Sequence, residues 1–224
     1  MIRRLFLPAL LDTEPLRDGL LVVRDGFVNL YVVRGPAGLV CFDAGWRPAR
    51  VAREFGALGL DVDEIVAVFL THLHWDHAGC AALYVNAKVY VGEREPVGLF
   101  AIKPCRSRPW TRVRDGETVL AAGLRVRVVD TPGHTPGSVC YVVDERFLIT
   151  GDTLRLWRGE VVPFWPWLIG DARTMAASLR RLAVQAGMEC LLTAHTGVSS
   201  DVAAAFRRWR EPAAGVPSPE GHRP

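Results

Sequence analysis

Apolar residues along this chain come in short runs broken by turn residues, and the spacing of those runs predicts the elements. Residues 20–23, 28–33 and 39–42 read as strands, separated by Asp25-Gly26 and Gly35-Pro36, which suit hairpin turns. A helix is predicted from Pro48 over 48–58, ending near Gly59. Residues 65–70 are continuously apolar, as in a strand buried on both faces. A helix is expected to start over 78–83, followed by a strand at 88–91. The second half repeats the theme, with strands at 124–129, 138–143, 147–150 and 190–193. Asp171 is a good N-cap for a helix over 172–186, and a last helix over 202–210 closes the fold. One domain over 1–210 is expected, with 211–224 as a flexible Pro/Gly/Ser tail. Residues 1–11 read as a first strand and turn: Pro8, Asp12 and Glu14 break what would otherwise resemble a leader. No stretch is long and apolar enough to span a bilayer, so no membrane partner is expected.

Composition narrows the class without choosing a function. Half of the 224 residues are hydrophobic and 23% are charged, the balance of an ordinary globular protein. The net charge of +3 is too small to argue for a polyanion. Lys103, Arg106, Arg108, Arg112 and Arg114 surround Trp110, a pattern that single-strand binders use. Here it reads as a solvated connector between the halves, and no nucleic-acid partner is expected. Cysteines 41, 80, 105, 140 and 190 are irregularly spaced, with no C-x-x-C, which predicts a reducing cytoplasm and no disulfide framework.

The histidines change the picture. Five of six fall into one constellation with two aspartates: His72, His74, Asp76 and His77, then His134, Asp152 and His195. Neutral imidazole is the commonest protein ligand for zinc and related ions. Seven nitrogen and oxygen donors are too many for one tetrahedral ion and suit two, so a two-metal hydrolytic site is the first expectation. Each donor group follows a predicted apolar strand, where a rigid sheet can hold a ligand accurately.

Thr71-His72-Leu73-His74-Trp75-Asp76-His77, Thr131-Pro132-Gly133-His134, Thr150-Gly151-Asp152-Thr153 and Ala194-His195 resemble the successive motifs of the metallo-β-lactamase superfamily. That resemblance, running from about residue 20 to 200, implies a mixed α/β fold. Its architecture would be a four-layer αββα sandwich of two mixed sheets flanked by helices, with the metal site at one edge. It also implies that His72, His74 and His134 hold one metal, that Asp76, His77 and His195 hold a second, and that Asp152 bridges them. Asp43 would support the ligand loop from behind. The expected cofactor is a pair of divalent ions, zinc first, with iron or manganese as alternatives.

The implied chemistry is attack of a metal-bridging hydroxide on a carbonyl carbon, with Asp76 bonded to the nucleophile. The stretches 131–141 and 147–154 are most similar to glyoxalase II-like thioesterases, although this chain ends before the C-terminal helical domain of their full-length members. A small-molecule thioester or ester is therefore the expected substrate. Quorum-signal lactonases share the ligand set but place a tyrosine between the bridging Asp and the last His, where this chain has none. Trp157, Phe164, Trp165 and Trp167 stand there instead and read as an apolar pocket wall or lid suited to an acyl chain. A persulfide dioxygenase, binding one iron through the first metal's histidines and Asp152, is the alternative from another reaction class.

Overall fold

Period-two patterning along the first strands sorts their side chains onto two faces. Leu21, Val23, Leu30 and Val32 enter one apolar core, while Leu20, Val22, Tyr31 and Val33 enter another. In the computed structural model, which describes residues 10–97, 109–185 and 187–210, both faces of this sheet are covered. The expected first strand over 1–11, the tail 211–224, Cys105 and the Lys103–Arg108 part of the basic stretch lie outside the described residues, except for residues 10 and 11.

The first sheet runs in sequence order: β1 (Glu14–Arg17), β2 (Leu20–Asp25), β3 (Val28–Gly35), β4 (Gly38–Phe42), β5 (Ile65–Leu70), β6 (Lys88–Gly92) and β7 (Thr111–Val113). It is antiparallel up to β4 and parallel from β4 to β7. The second sheet contains β8 (Thr118–Ala121), β9 (Leu124–Asp130), β10 (Val139–Val143) and β11 (Phe147–Ile149). A separate hairpin, β12 (Leu154–Trp157) with β13 (Glu160–Pro163), precedes its last strands, β14 (Cys190–Thr193) and β15 (Gly197–Ser199). The spatial order is β15-β14-β11-β10-β9-β8, with only β11 and β14 parallel.

Helices close the outer faces. In α1 (Pro48–Ala57), Val51 and Phe55 are one helical turn apart and both buried in the first outer core. In α3 (Ala172–Ala183), Met175, Leu179 and Leu182 repeat that spacing, and Asp171 caps the helix by accepting from the Arg173 and Thr174 amides. Leu179 and Leu182 join Val202 and Phe206 in the second outer core. Helix, sheet, sheet, helix is the resulting layer order, the expected αββα sandwich. Among the described residues no helix is long and apolar enough to cross a membrane.

Several local expectations need correction. Instead of starting over 78–83, the helix after β5 is a single turn, α2 (Trp75–Ala78), followed by a 3-10 turn at Ala81–Leu83. It starts earlier because the extended His74 offers its carbonyl to the His77 and Ala78 amides. The last helix is divided at Phe206 into α4 (Val202–Ala205) and α5 (Arg207–Arg210). The stretch that begins the aromatic wall or lid, for which no strand was expected, is the β12–β13 hairpin, turning on Arg158 and Gly159, both at positive φ.

Two tyrosines bolt the sheets together beside the ligand loops. Tyr31 of the first sheet donates to the Thr193 carbonyl (2.8 Å), and Tyr141 of the second donates to the Leu70 carbonyl (2.7 Å). Both acceptors end strands that lead directly into histidines. Cys41, Cys80, Cys140 and Cys190 are buried free thiols. Arg112 donates to the Gly92, Glu93 and Glu95 carbonyls, and Arg114 pairs with Glu93, so this part of the basic stretch is engaged internally.

Candidate metal centre

The seven predicted donors meet at the edge between the sheets. His72 and His74 leave β5 on extended backbone, and α2 then turns Asp76 and His77 toward the same point. His134 follows β9, Asp152 sits in a 3-10 turn after β11, and His195 follows β14. Gly151 lets that turn close: it has φ +50, and a Cβ there would collide with Thr71 Oγ1. The donor atoms fall into two groups, His72, His74, His134 and Asp152 in one and Asp76, His77 and His195 in the other, with each group's atoms within 4.8 Å of one another.

Asp152 faces both groups. Its Oδ2 lies 3.4 Å from His134 Nε2 and 3.9 Å from His72 Nε2, whereas Oδ1 lies 3.1 Å from His195 Nε2 and 3.3 Å from His77 Nε2. Asp76 Oδ2 is 3.6 Å from both His77 Nε2 and His195 Nε2.

Four imidazoles are oriented by hydrogen bonds at their outward nitrogens. Nδ1 of His77 bonds to Asp43 Oδ2 (2.8 Å), that of His134 to the Leu168 carbonyl (2.7 Å) and that of His195 to the Phe27 carbonyl (2.7 Å). His72 Nδ1 bonds to Thr71 Oγ1 (3.1 Å), which itself donates to Asp43. Such bonds put the proton on Nδ1 and leave the Nε2 lone pair facing inward. His74 instead presents Nδ1, 2.9 Å from His134 Nε2. His72 Nε2, His77 Nε2 and Asp152 Oδ1 are buried without a hydrogen-bond partner. Buried polar atoms are normally satisfied, and converging lone pairs of this kind are what a bound cation would satisfy. The donor set therefore fits metal.

The two groups differ electrically. Burial, reinforced by His77 and His134, pushes the His72 imidazole well below its ordinary value. Burial and the neighbouring His134 take His74 down to about 4, and burial also lowers His134. These three are neutral near pH 7. Burial opposes charging His77 and His195 as well, but Asp152, with help from Asp76, outweighs it and raises both. Burial works against the charge on Asp152, yet His195 and His77 hold its carboxyl well below the usual range.

A cavity of about 760 Å³ opens over the donors, lined by His74, Asp76, His134, Asp152 and His195 at its floor. Phe164, Trp165 and Trp167 line it, together with Phe27, Trp75 and Leu168. Trp157 does not: it ends β12 outside the lining, half-exposed beside Arg155 and Arg158.

The family model described as the metallo-β-lactamase superfamily matches residues 23–213. This chain belongs to the metallo-β-lactamase superfamily. It is 30% identical over 125 residues to the probable polyketide biosynthesis zinc-dependent hydrolase BaeB of Bacillus velezensis, an alignment covering 54% of this chain and 52% of the relative. It is 27% identical over 212 residues to the lactamase-like protein nscB of Neosartorya fischeri, covering 88% of this chain and 58% of the relative. The chain thus spans about half the length of the curated relatives it matches. A metallo-β-lactamase family protein from Thermus thermophilus superposes with a TM-score of 0.63 at 25% identity, covering 84% of this chain and 76% of that one.

Two carboxylates that frame this metallo-β-lactamase site escaped the sequence reading. Glu95, 1% exposed, accepts from the Leu73 amide (2.9 Å) and from the Thr135 hydroxyl. It thereby ties the His72–His74 segment to the His134 loop. Asp25 is fully buried and accepts from the Trp46 and Arg47 amides (2.8 and 2.9 Å), fixing the loop behind Trp75. In the sequence, Glu95 is one acid in a charged turn and Asp25 is half of an Asp-Gly turn signal. Neither carries a local mark of its role.

Proposed function

We propose that this chain is a dinuclear metal-dependent hydrolase of the glyoxalase II-like kind, acting on a thioester or ester carbonyl. The observation that carries the reading is Asp152, one oxygen of which faces each donor group. His72, His74 and His134 would hold one ion, Asp76, His77 and His195 the second, and Asp152 would be shared. Zinc suits this nitrogen and oxygen set. The description of the Bacillus velezensis relative as a zinc-dependent hydrolase supports the same metal and reaction class. When bound, the two ions lower the pKa of water toward neutrality and polarise the carbonyl.

The chain's own residues supply the rest. Asp76, on the cavity floor, accepts a hydrogen bond from the attacking water and directs its lone pair at the carbonyl carbon. Asp43 and the Phe27 and Leu168 carbonyls keep the imidazoles oriented. Water adds to the carbonyl carbon, the C–S or C–O bond breaks, and the acid and the thiol or alcohol leave with the two protons. A one-iron persulfide dioxygenase would use only the first donor group. The convergence of Asp76, His77 and His195, whose donor atoms also lie within 4.8 Å of one another, favours two ions.

The test is hydrolysis of S-lactoylglutathione, a p-nitrophenyl ester and an acyl homoserine lactone by zinc-loaded protein, with Asp152→Ala as control. Two zinc ions per chain and turnover that vanishes in the variant are expected. Two-ion protein that cleaves none of these, or one-iron protein that consumes oxygen with a persulfide, overturns the reading.

A further inference from the structure

We propose that the cavity above the donors is a slot for an uncharged, apolar acyl group, several carbons long or aromatic, and that it disfavours acyl groups carrying an anion. The inference rests on the hydrolase reading and adds the substrate class to it.

Two groups of aromatic side chains line the cavity. In one, Phe27 and Trp75 meet edge to face (5.7 Å, 73°), and Trp46 backs Trp75 (4.8 Å, 90°), with Trp46 held by the buried Asp25. In the other, Phe164 stands edge-on to Trp165 (4.7 Å, 71°), followed by Trp167 and Leu168. Rings locked in this way form fixed surfaces rather than adaptable ones. Phe27, Trp75, Trp167 and Leu168 remain 42–75% exposed, and large apolar side chains gathered around a concave site mark a surface that binds apolar groups.

Polarity in the cavity is confined to its floor. Among the described lining residues, all those above the five His and Asp donors are aromatic, aliphatic or glycine. An acyl chain in the slot would exchange water for hydrocarbon along its length. A carboxylate there would lose its hydration and meet no cation among the described lining residues, since the Arg155 and Arg47 guanidiniums stack on the Trp165 and Trp46 rings (5.7 and 4.4 Å) without joining the lining.

The slot and the metal ligands share backbone. Phe27 and Leu168 contribute side chains to the lining while their carbonyls orient His195 and His134. Replacing the Phe27 side chain therefore alters the slot and removes a ring stacked on His195 (5.8 Å, 16°) but leaves the carbonyl that orients His195, so the zinc content of this variant is measured alongside its activity.

The experiment compares acetyl, hexanoyl, decanoyl and adipoyl thioesters of N-acetylcysteamine with zinc-loaded wild type, Phe27→Ala and Trp165→Ala. In parallel, tryptophan fluorescence follows binding of decanamide and adipamate. We expect kcat/KM to rise by up to about fourfold for each methylene that enters the slot. Adipoyl should fall at least tenfold below hexanoyl, and both variants should compress the decanoyl-to-acetyl ratio at unchanged zinc content. Turnover with a flat acyl profile, or adipoyl equal to hexanoyl, overturns the slot and leaves the hydrolase standing. Saturable decanamide binding lost in both variants, without turnover of any thioester, p-nitrophenyl ester or lactone, overturns the hydrolase and leaves the slot standing. Absence of both overturns the slot as well.

Discussion

Behind the histidines the protein is buried, polar and hydrogen-bonded, whereas in front of them it is apolar and open to solvent. Asp43 and Glu95, 2% and 1% exposed, receive amide, hydroxyl and imidazole donors from the two ligand loops. Trp75 and Trp167, 42% and 75% exposed, touch the solvent-filled side. The back sets the position of atoms to fractions of an ångström, because each donor there must meet its acceptor or lose a hydrogen bond inside the core. The front is read through area and shape, where substitutions are absorbed more easily. The contrast separates the part of the site that fixes geometry from the part that chooses the substrate.

Substitutions at the back should cost most. Asp43→Ala leaves Thr71 N, Thr71 Oγ1 and His77 Nδ1 facing an empty acceptor position, and should lower metal-free stability by about 4 kcal/mol in urea unfolding. The gentler Asp43→Asn keeps the shape and the tolerance for φ +60, and should weaken zinc roughly 10- to 100-fold in chelator competition. Unchanged affinity in Asp43→Asn would mean that the carboxylate only fills space.

Gly137→Ala comes next. A Cβ at this position would collide with the Glu95 amide nitrogen, a backbone atom that cannot swing aside. A loss of about 3 kcal/mol is expected, and an unaltered urea midpoint would show that the Glu95 turn moves freely.

Glu95→Gln should cost about 2 kcal/mol and couple to Thr135→Val in a double-mutant cycle, since the two side chains share one hydrogen bond. Burial raises the Glu95 carboxyl, so folding favours its protonated form. Its contribution is fully present below the ordinary value of 4.5 and is lost as pH rises through the folded value. The stability gap between wild type and Glu95→Gln should accordingly be wider at pH 4 than at pH 7. A gap that widens toward pH 7 would reverse the assigned role of burial.

Trp167→Ala should barely register in stability, within about 0.5 kcal/mol, because the ring is mostly in water. Its effect belongs in the acyl-chain profile. A large drop in unfolding midpoint would place Trp167 in the core rather than on the slot.

The strands that carry the ligands were legible as continuous apolar runs, except β9, where Arg125 and Arg127 alternate with apolar residues. The runs ending at Leu70, before Thr71-His72, and at Ile149, before Thr150-Gly151-Asp152, are examples of the continuous kind. Edge strands such as Glu14–Arg17 and Thr111–Val113 were not, since partly exposed short strands carry little hydrophobic signal. The seven candidate donors could be named from the sequence, and Asp43 behind them from the family resemblance, yet the other residues that hold them could not. Phe27 and Leu168 act through backbone carbonyls, which every residue possesses, and the partners of Glu95 lie 22 and 40 positions away.

That use of the backbone at Phe27 and Leu168 has an evolutionary consequence. A carbonyl survives almost any point mutation, so the orientation of His134 and His195 is insulated from the identity of the side chains beside them. Selection can exchange one wall residue for another, and with it one substrate for another, while every intermediate along that path keeps its imidazoles in place.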